Sequence, residues 1–344
     1  MDAHYSHIYP DGKPYFDTAT ENIFNARQGY IILDEEGAEG AKTSLVEPSL
    51  ERCGFELVRL EGEDNSCRDG AVSEWTDMDQ VVSKYLPKLR RAIIRAFSSG
   101  NGDNEAGGGS AISHVLFYQP MLRGEKVEMG TKTSPVASLV HIDTDIGAHD
   151  TEGIVRLVER NRIVASARGG DEEETIFPRK ELISLINKGA RFAIVNAWRG
   201  VNSDGKPVGR THLGLLSPQY DSNQNLPRRH LCYPALQPKR PHSRWYTYPQ
   251  MKHDEVLLFK QYDRRVDRVS DIWHCALPVF PGEDESSPRM SFDCRALVVF
   301  ANEMVSKDID RYCDDRLRPS LTLEESGCFC DEQADKRKSS QSRS

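Results

Sequence analysis

The chain has 344 residues, with 45 Lys and Arg against 53 Asp and Glu, for a formal net charge of -8. That acidic balance argues against a general nucleic-acid binder, whose affinity comes from basic residues meeting phosphates. With 38% hydrophobic residues the composition supports a large core. No apolar run approaches the roughly 18–20 residues of a membrane span, and MDAHYSHIYPDGKPY lacks the apolar stretch of a secretory signal. A soluble, cytoplasmic protein without membrane or nucleic-acid partners is therefore expected.

Short strands are expected at Gln28–Leu33 and Gly54–Leu60. From Met78 to Phe97, the residues Val81, Val82, Tyr85, Leu89, Ile93, Ile94 and Phe97 recur at helical spacing. This predicts an amphipathic helix that Pro87 kinks or divides. The Gly-rich stretch 98–110 has no means of forming a core and lacks the Gly-Lys-Ser/Thr of a phosphate-binding loop. Five β-rich runs come next, at Val115–Tyr118, Ser138–Ile142, Phe192–Trp198, Glu255–Phe259 and Arg295–Phe300, with a helix at Arg179–Lys188 between them. The spacing of short strands and turns predicts an all-β sandwich or barrel. The organisation read from this is an N-terminal α/β segment (1–107) packed on a catalytic β domain (108–303), followed by a charged, disordered tail (304–344). The eight cysteines show no CxxC pair. They are read as reduced, with Cys328 and Cys330 as spare thiols on the tail.

His141-Ile142-Asp143 is expected at or just past the end of a strand, where alternate residues address one point. A third ligand is required from elsewhere. His149, His212, His230, His242 and His253 lie between the triplet and His274. His274 is preferred for its strand-like setting, Val269–Leu277, and for the arginine-bearing strand downstream of it. Two histidines and one carboxylate leave open positions for a chelating co-substrate and O2, the arrangement of non-haem Fe(II) oxygenases. The ligand types alone leave zinc and manganese open. In that downstream strand, Pro288–Phe300, the period of two places Arg289, Ser291, Asp293 and Arg295 on one face. The loop 281–287 is expected to turn it back antiparallel to the His274 strand. An arginine opposite the histidine then grips a carboxylate beside the metal.

The ordered set Gly54-Phe55-Glu56-Leu57, Val140–Asp143, Ile194–Arg199, Tyr248–Met251, Asp254–Asp263, His274 and Pro288–Arg295 resembles the Fe(II)/2-oxoglutarate dioxygenases. More narrowly, it resembles the fungal AsaB-type hydroxylase/desaturase family, over about residues 50–303. The resemblance implies a mainly β fold with flanking helices around a double-stranded β-helix (jelly roll). It also implies Fe(II) held by His141, Asp143 and His274, with 2-oxoglutarate and O2 as co-substrates. The expected activity is hydroxylation, desaturation or another oxidation of a small natural-product intermediate of secondary metabolism. Arg295 and Arg289, with Ser291, are the candidates for holding 2-oxoglutarate. Arg295 is preferred from the expected hairpin, whereas Arg289 forms an Arg-x-Ser triplet. Asn196, Trp198 and Arg199 are candidate pocket or supporting residues, and Tyr118 and Arg123 weaker ones. One departure is Gly200, where the family usually has Pro after Asn-x-Trp-Arg. The rival functions are a non-catalytic metal-binding jelly roll and a metal-dependent hydrolase.

Overall fold

The computed structural model describes residues 2–8, 14–20, 23–33, 43–60, 72–99, 112–125, 133–138, 140–143, 151–160, 163–168, 179–202, 204–217, 244–265, 269–270, 272–279 and 288–305. They belong to a unit spanning Met1–Lys307. Residues 100–110 of the Gly-rich stretch, the 281–287 loop, Cys67, Cys232, Cys313, Cys328, Cys330 and the tail beyond 305 lie outside them.

Strands β1 (Asp2–Ile8) and β2 (Pro14–Thr20) pair with each other, and β4 (Tyr30–Leu33) with β5 (Thr43–Val46), while β3 (Ile23–Asn25) joins a larger sheet. Then come α1 (Leu50–Cys53), β6 (Phe55–Arg59), α2 (Met78–Gln80), a π-helical turn at Val81–Tyr85 and α3 (Leu86–Ser99). The remaining elements are β7 (Ile112–Gly124), β8 (Thr133–Pro135), α4 (Thr151–Arg160), β9 (Ile163–Arg168), α5 (Arg179–Asn187) and β10 (Ala190–Gly200). They continue with β11 (Leu213–Ser217), β12 (Arg244–Thr247), β13 (Glu255–Asp263), β14 (Trp273–Ala276) and β15 (Met290–Met304).

A seven-stranded sheet runs β6-β13-β10-β15-β7-β8, with β9 also on β7, and a four-stranded sheet runs β14-β11-β12-β3. Together they form the jelly-roll core expected from the sequence. Period-two alternation sorts the long strands. Phe292, Cys294, Ala296, Val298 and Phe300 of β15, with Ala193, Val195 and Ala197 of β10, share a core with α3. The alternate residues Leu297, Val299, Phe192 and Ile194 pack against α4 and α5 instead. Further along that second face stand Asn196, Trp198, Ser291, Asp293 and Arg295, so the helices cover one part of the face and leave the rest for a site.

The helix expected at Met78–Phe97 forms, and Pro87 leaves its mark just upstream. The Leu86 N–H bonds back to the Val81 carbonyl, five residues away. Proline has no N–H and its ring crowds the carbonyl four residues back. The widened turn changes the bonding register where Pro87 requires it. Two other expectations are corrected. His141 sits in no strand, and its backbone forms an isolated bridge with His274. The strand that carries Arg295 and follows directly on Arg289 is not the hairpin partner of the His274 strand. β14 pairs with β11, whereas both edges of β15 are taken by β10 and β7 in the other sheet.

The N-terminal segment is fastened by a buried ionic cluster. Arg191 Nη2 lies 2.7 Å from Asp263 Oδ2 and 3.0 Å from Glu51 Oε1 on α1, and its Nη1 lies 3.1 Å from Glu303 Oε2. Lys260 Nζ adds a contact of 3.1 Å to Asp263. Among the described residues, Cys53, Cys275 and Cys294 are buried free thiols.

Candidate metal centre

His141 and His274 exchange two backbone hydrogen bonds, His141 N to His274 O at 3.0 Å and the reverse at 2.9 Å. Their rings lie 4.3 Å apart, centroid to centroid. The Asp143 carboxylate reaches between them, with Oδ1 3.5 Å from His141 Nε2 and Oδ2 3.5 Å from His274 Nε2. All three donor atoms fall within 4.8 Å of one another. Bonds of about 2.0–2.2 Å to a first-row metal bring adjacent donors to about 3 Å. The three groups therefore need only a small closing movement to share one ion. Two imidazoles and one carboxylate suit Fe(II) with open positions.

The protonation states fit that use. Burial pushes the Asp143 carboxyl up, but its electrostatic interaction with His274, hydrogen bonds with His141 and His274, and the Arg295 cation outweigh it, holding the group well below the usual carboxylate range. Burial, then the neighbouring His141, lowers His274, which favours the neutral imidazole that has a lone pair to give. The His274 Nδ1 faces the Ile272 carbonyl at 3.4 Å, leaving Nε2 toward the site. Gln261, to which the sequence assigns no role, ties the ligand segments together. Its Oε1 accepts from Asp143 N at 2.7 Å and its Nε2 donates to Ile272 O at 2.8 Å. An amide side chain in the strand-like run Glu255–Asp263 is the one signal the sequence offers for it.

A pocket opens at the triad, lined by Arg123, Asn196, Trp198, Leu213, Phe259, Arg289 and Asp293 among others. Arg289 is 2% exposed. Its Nη1 donates to the Thr211 carbonyl, its Nε has no partner among the described residues, and its guanidinium carbon stands 5.1 Å from the Trp198 ring centroid. Burial lowers its pKa to about 10, opposed by Glu125 and Asp293, so it remains a cation at neutral pH. Thr211 holds φ at 49°, a left-handed conformation uncommon for a β-branched residue. Ser291 is fully buried, and its Oγ is unpaired among the described residues.

The other sequence candidates divide. Asn196 donates from Nδ2 to Asp143 Oδ2. Arg295 reaches Asp143 Oδ1 at 2.9 Å across the sandwich. Tyr118 is buried beside Arg295 and Asp143, its hydroxyl meets no hydrogen-bond partner among the described residues, and burial raises its pKa. Arg123 pairs with Asp293 at 2.9 Å. Arg199 falls on the opposite face of β10, its guanidinium 5.0 Å from the Trp75 ring and 5.2 Å from Tyr85, away from the pocket. Alternation along Asn196-Ala197-Trp198-Arg199 requires this separation.

Comparison with known proteins points to a class of chemistry. The chain is 26% identical over 290 residues to the alpha-ketoglutarate-dependent dioxygenase phiK of a fungal species, covering 81% of this chain and 89% of that protein. It is 24% identical over 246 residues to the alpha-ketoglutarate-dependent dioxygenase tstK of Talaromyces stipitatus, covering 67% and 76%. In fold it is similar to the iron and alpha-ketoglutarate-dependent endoperoxidase NvfI, with a TM-score of 0.55 and 17% identity over 86% of this chain and 93% of that one. A family model described as an oxidoreductase/YMDC permease-like domain matches residues 165–299. Jelly roll, triad and relatives define a non-haem Fe(II)/2-oxoglutarate-dependent dioxygenase. The relatives it resembles are fungal alpha-ketoglutarate-dependent dioxygenases, and the cofactors of such an enzyme are Fe(II), with 2-oxoglutarate and O2 as co-substrates. Among the described residues, no helix is long and apolar enough to cross a membrane.

Proposed function

We propose that the protein oxidises a small natural-product intermediate of secondary metabolism, coupling that oxidation to conversion of 2-oxoglutarate into succinate and carbon dioxide. His141, Asp143 and His274 would hold Fe(II), which when bound supplies the activation of O2. Arg289 would receive the distal carboxylate of 2-oxoglutarate. One observation carries this reading: a guanidinium at 2% exposure lines the pocket beside the triad, and among the described residues its Nε is unpartnered and no carboxylate lies within ion-pairing distance. A buried cation without its counter-ion is costly, and a dicarboxylate ligand removes that cost. Neither an inert metal-binding jelly roll nor a hydrolase needs such a group.

The chain's own residues provide orientation and shelter. Trp198 stacks on Arg289 and fixes the plane of its donors. The Ser291 hydroxyl is a second donor two residues further along the chain, at the start of β15. Phe259, 4.8 Å from the His274 ring, and Leu213 exclude water from the metal side of the pocket. Hydroxylation, desaturation and other outcomes begin from the same removal of a substrate hydrogen. The particular outcome depends on which carbon the pocket presents.

The test is an anaerobic titration. Adding Fe(II) to the protein with 2-oxoglutarate should produce the weak visible charge-transfer band of a chelated keto acid, absent when either component is omitted. No band under saturating conditions would overturn the reading.

A further inference from the structure

Arg295 does not line the pocket that Arg289 enters. Its two arms are occupied, one by Asp143 Oδ1 at 2.9 Å and the other by the Gln119 side-chain oxygen. The local backbone is irregular in a way that serves this contact. Along β7 and β15 the register runs Met121 to Asp293 and Tyr118 to Arg295, so Gln119 and Pro120 together oppose the single residue Cys294. This is a β-bulge, a device that re-aims side chains beside active sites. In a regular strand Tyr118 and Gln119 would point to opposite faces. Here Tyr118 lies beside Arg295 while Gln119 bonds it, and Gln119 adopts φ of 49° to do so. A non-glycine residue in the left-handed region costs of order 1 kcal/mol and persists where its surroundings enforce it. From the neighbouring strand, in register with Arg295, Asn196 donates to the other oxygen of Asp143.

We infer that Arg295, held by Gln119 on the bulge and assisted by Asn196, is a positioning residue for the Asp143 carboxylate and does not bind 2-oxoglutarate. Each Asp143 oxygen meets one donor from the seven-stranded sheet and one imidazole from the facing side. The carboxylate is thus aimed at the imidazoles before any ion arrives. A lone carboxylate at the edge of a bridge would otherwise rotate freely, and fixing it lowers the entropy lost on metal binding. The inference rests on the reading of His141, Asp143 and His274 as a metal centre.

The experiment uses metal-free full-length protein. Mn(II) is titrated and the free ion followed by electron paramagnetic resonance; 2-oxoglutarate binding is then measured by calorimetry on Mn(II)-saturated protein. Arg295→Gln and Arg295→Lys should each weaken Mn(II) binding by about tenfold or more, with 2-oxoglutarate affinity within about twofold of wild type. Arg289→Gln should show the reverse pattern. Because lysine retains the charge, a loss in both Arg295 variants identifies geometry as the cause. Gln119→Gly keeps the left-handed backbone and removes only the acceptor, so it carries the test if the Arg295 variants fail to fold; it should weaken Mn(II) binding by about threefold. Unchanged or tighter Mn(II) binding in the variants, or a loss of 2-oxoglutarate affinity specific to Arg295→Gln, would overturn the inference alone. Failure of wild-type protein to bind Mn(II) would overturn the metal-centre reading itself.

Discussion

The guanidinium carbon of Arg289 sits 5.1 Å from the centroid of the Trp198 ring, which ties the cation just ahead of the last strand to the strand beside it. Hydrogen bonds to charged groups contribute about 1.5–3 kcal/mol. Arg289→Gln should therefore raise the KM for 2-oxoglutarate by about ten- to a hundredfold, with a smaller fall in kcat at saturation. Steady-state succinate formation across a 2-oxoglutarate series checks this, and an unchanged KM would count against Arg289 as the anchor.

Replacing a ligand should act differently. In His141→Ala and Asp143→Ala, substrate-dependent succinate formation should vanish together with Fe(II) binding, and added 2-oxoglutarate should not rescue it. Full turnover by either variant would remove that residue from the metal centre.

The ionic cluster around Arg191 predicts a stability effect remote from catalysis. Arg191→Met leaves Glu51 and Asp263 buried without their main partner. Breaking a buried pair this way costs about 3–5 kcal/mol, readable as a lower urea midpoint. Burial raises Asp263, yet Lys260 and Arg191 more than reverse it, and its folded pKa lies below the normal value. The stabilisation is thus present above the unfolded value of about 3.9 and is lost as pH falls through the lower folded value. Asp263→Asn should flatten that acid limb of the stability curve.

Gly200 offers a test of local packing. A Cβ added there would lie 2.3 Å from Val208 Cγ2. Gly200→Ala should destabilise the protein by about 1–3 kcal/mol through overpacking, and Gly200→Ala combined with Val208→Ala should recover part of the loss. Equal stability of Gly200→Ala and wild type in thermal melts would contradict the contact. The same contact gives the chain's departure from the family's usual proline a physical setting, since Val208 occupies the space a side chain would need.

How far the site could be read in advance depended on how local its causes are. The grouping of His141, Asp143 and His274 was legible because the capacity to hold a metal resides in residue type and order. The faces of β10 and β15 were legible because alternation follows from the extended chain, and it separates Arg199 from Asn196 and Trp198 once the strand is accepted. The relation of β14 to β15 was not legible. A short loop between two strands suggests a hairpin, and only the competition of β10 and β7 for the edges of β15 excludes one. Without that hairpin, strand spacing gives no ground for favouring Arg295 over Arg289. Gln119 was hidden for a related reason, because a bulge inverts the face that alternation assigns. Gln261 required knowing that β13 passes beneath the ligand bridge.

The paired backbone bonds between His141 and His274 have an evolutionary corollary. The two imidazoles are spaced by main-chain atoms, whose bonding is indifferent to the side chains on either flank. Connecting segments can then be rewritten or lengthened during divergence while the oxidising chemistry stays in place.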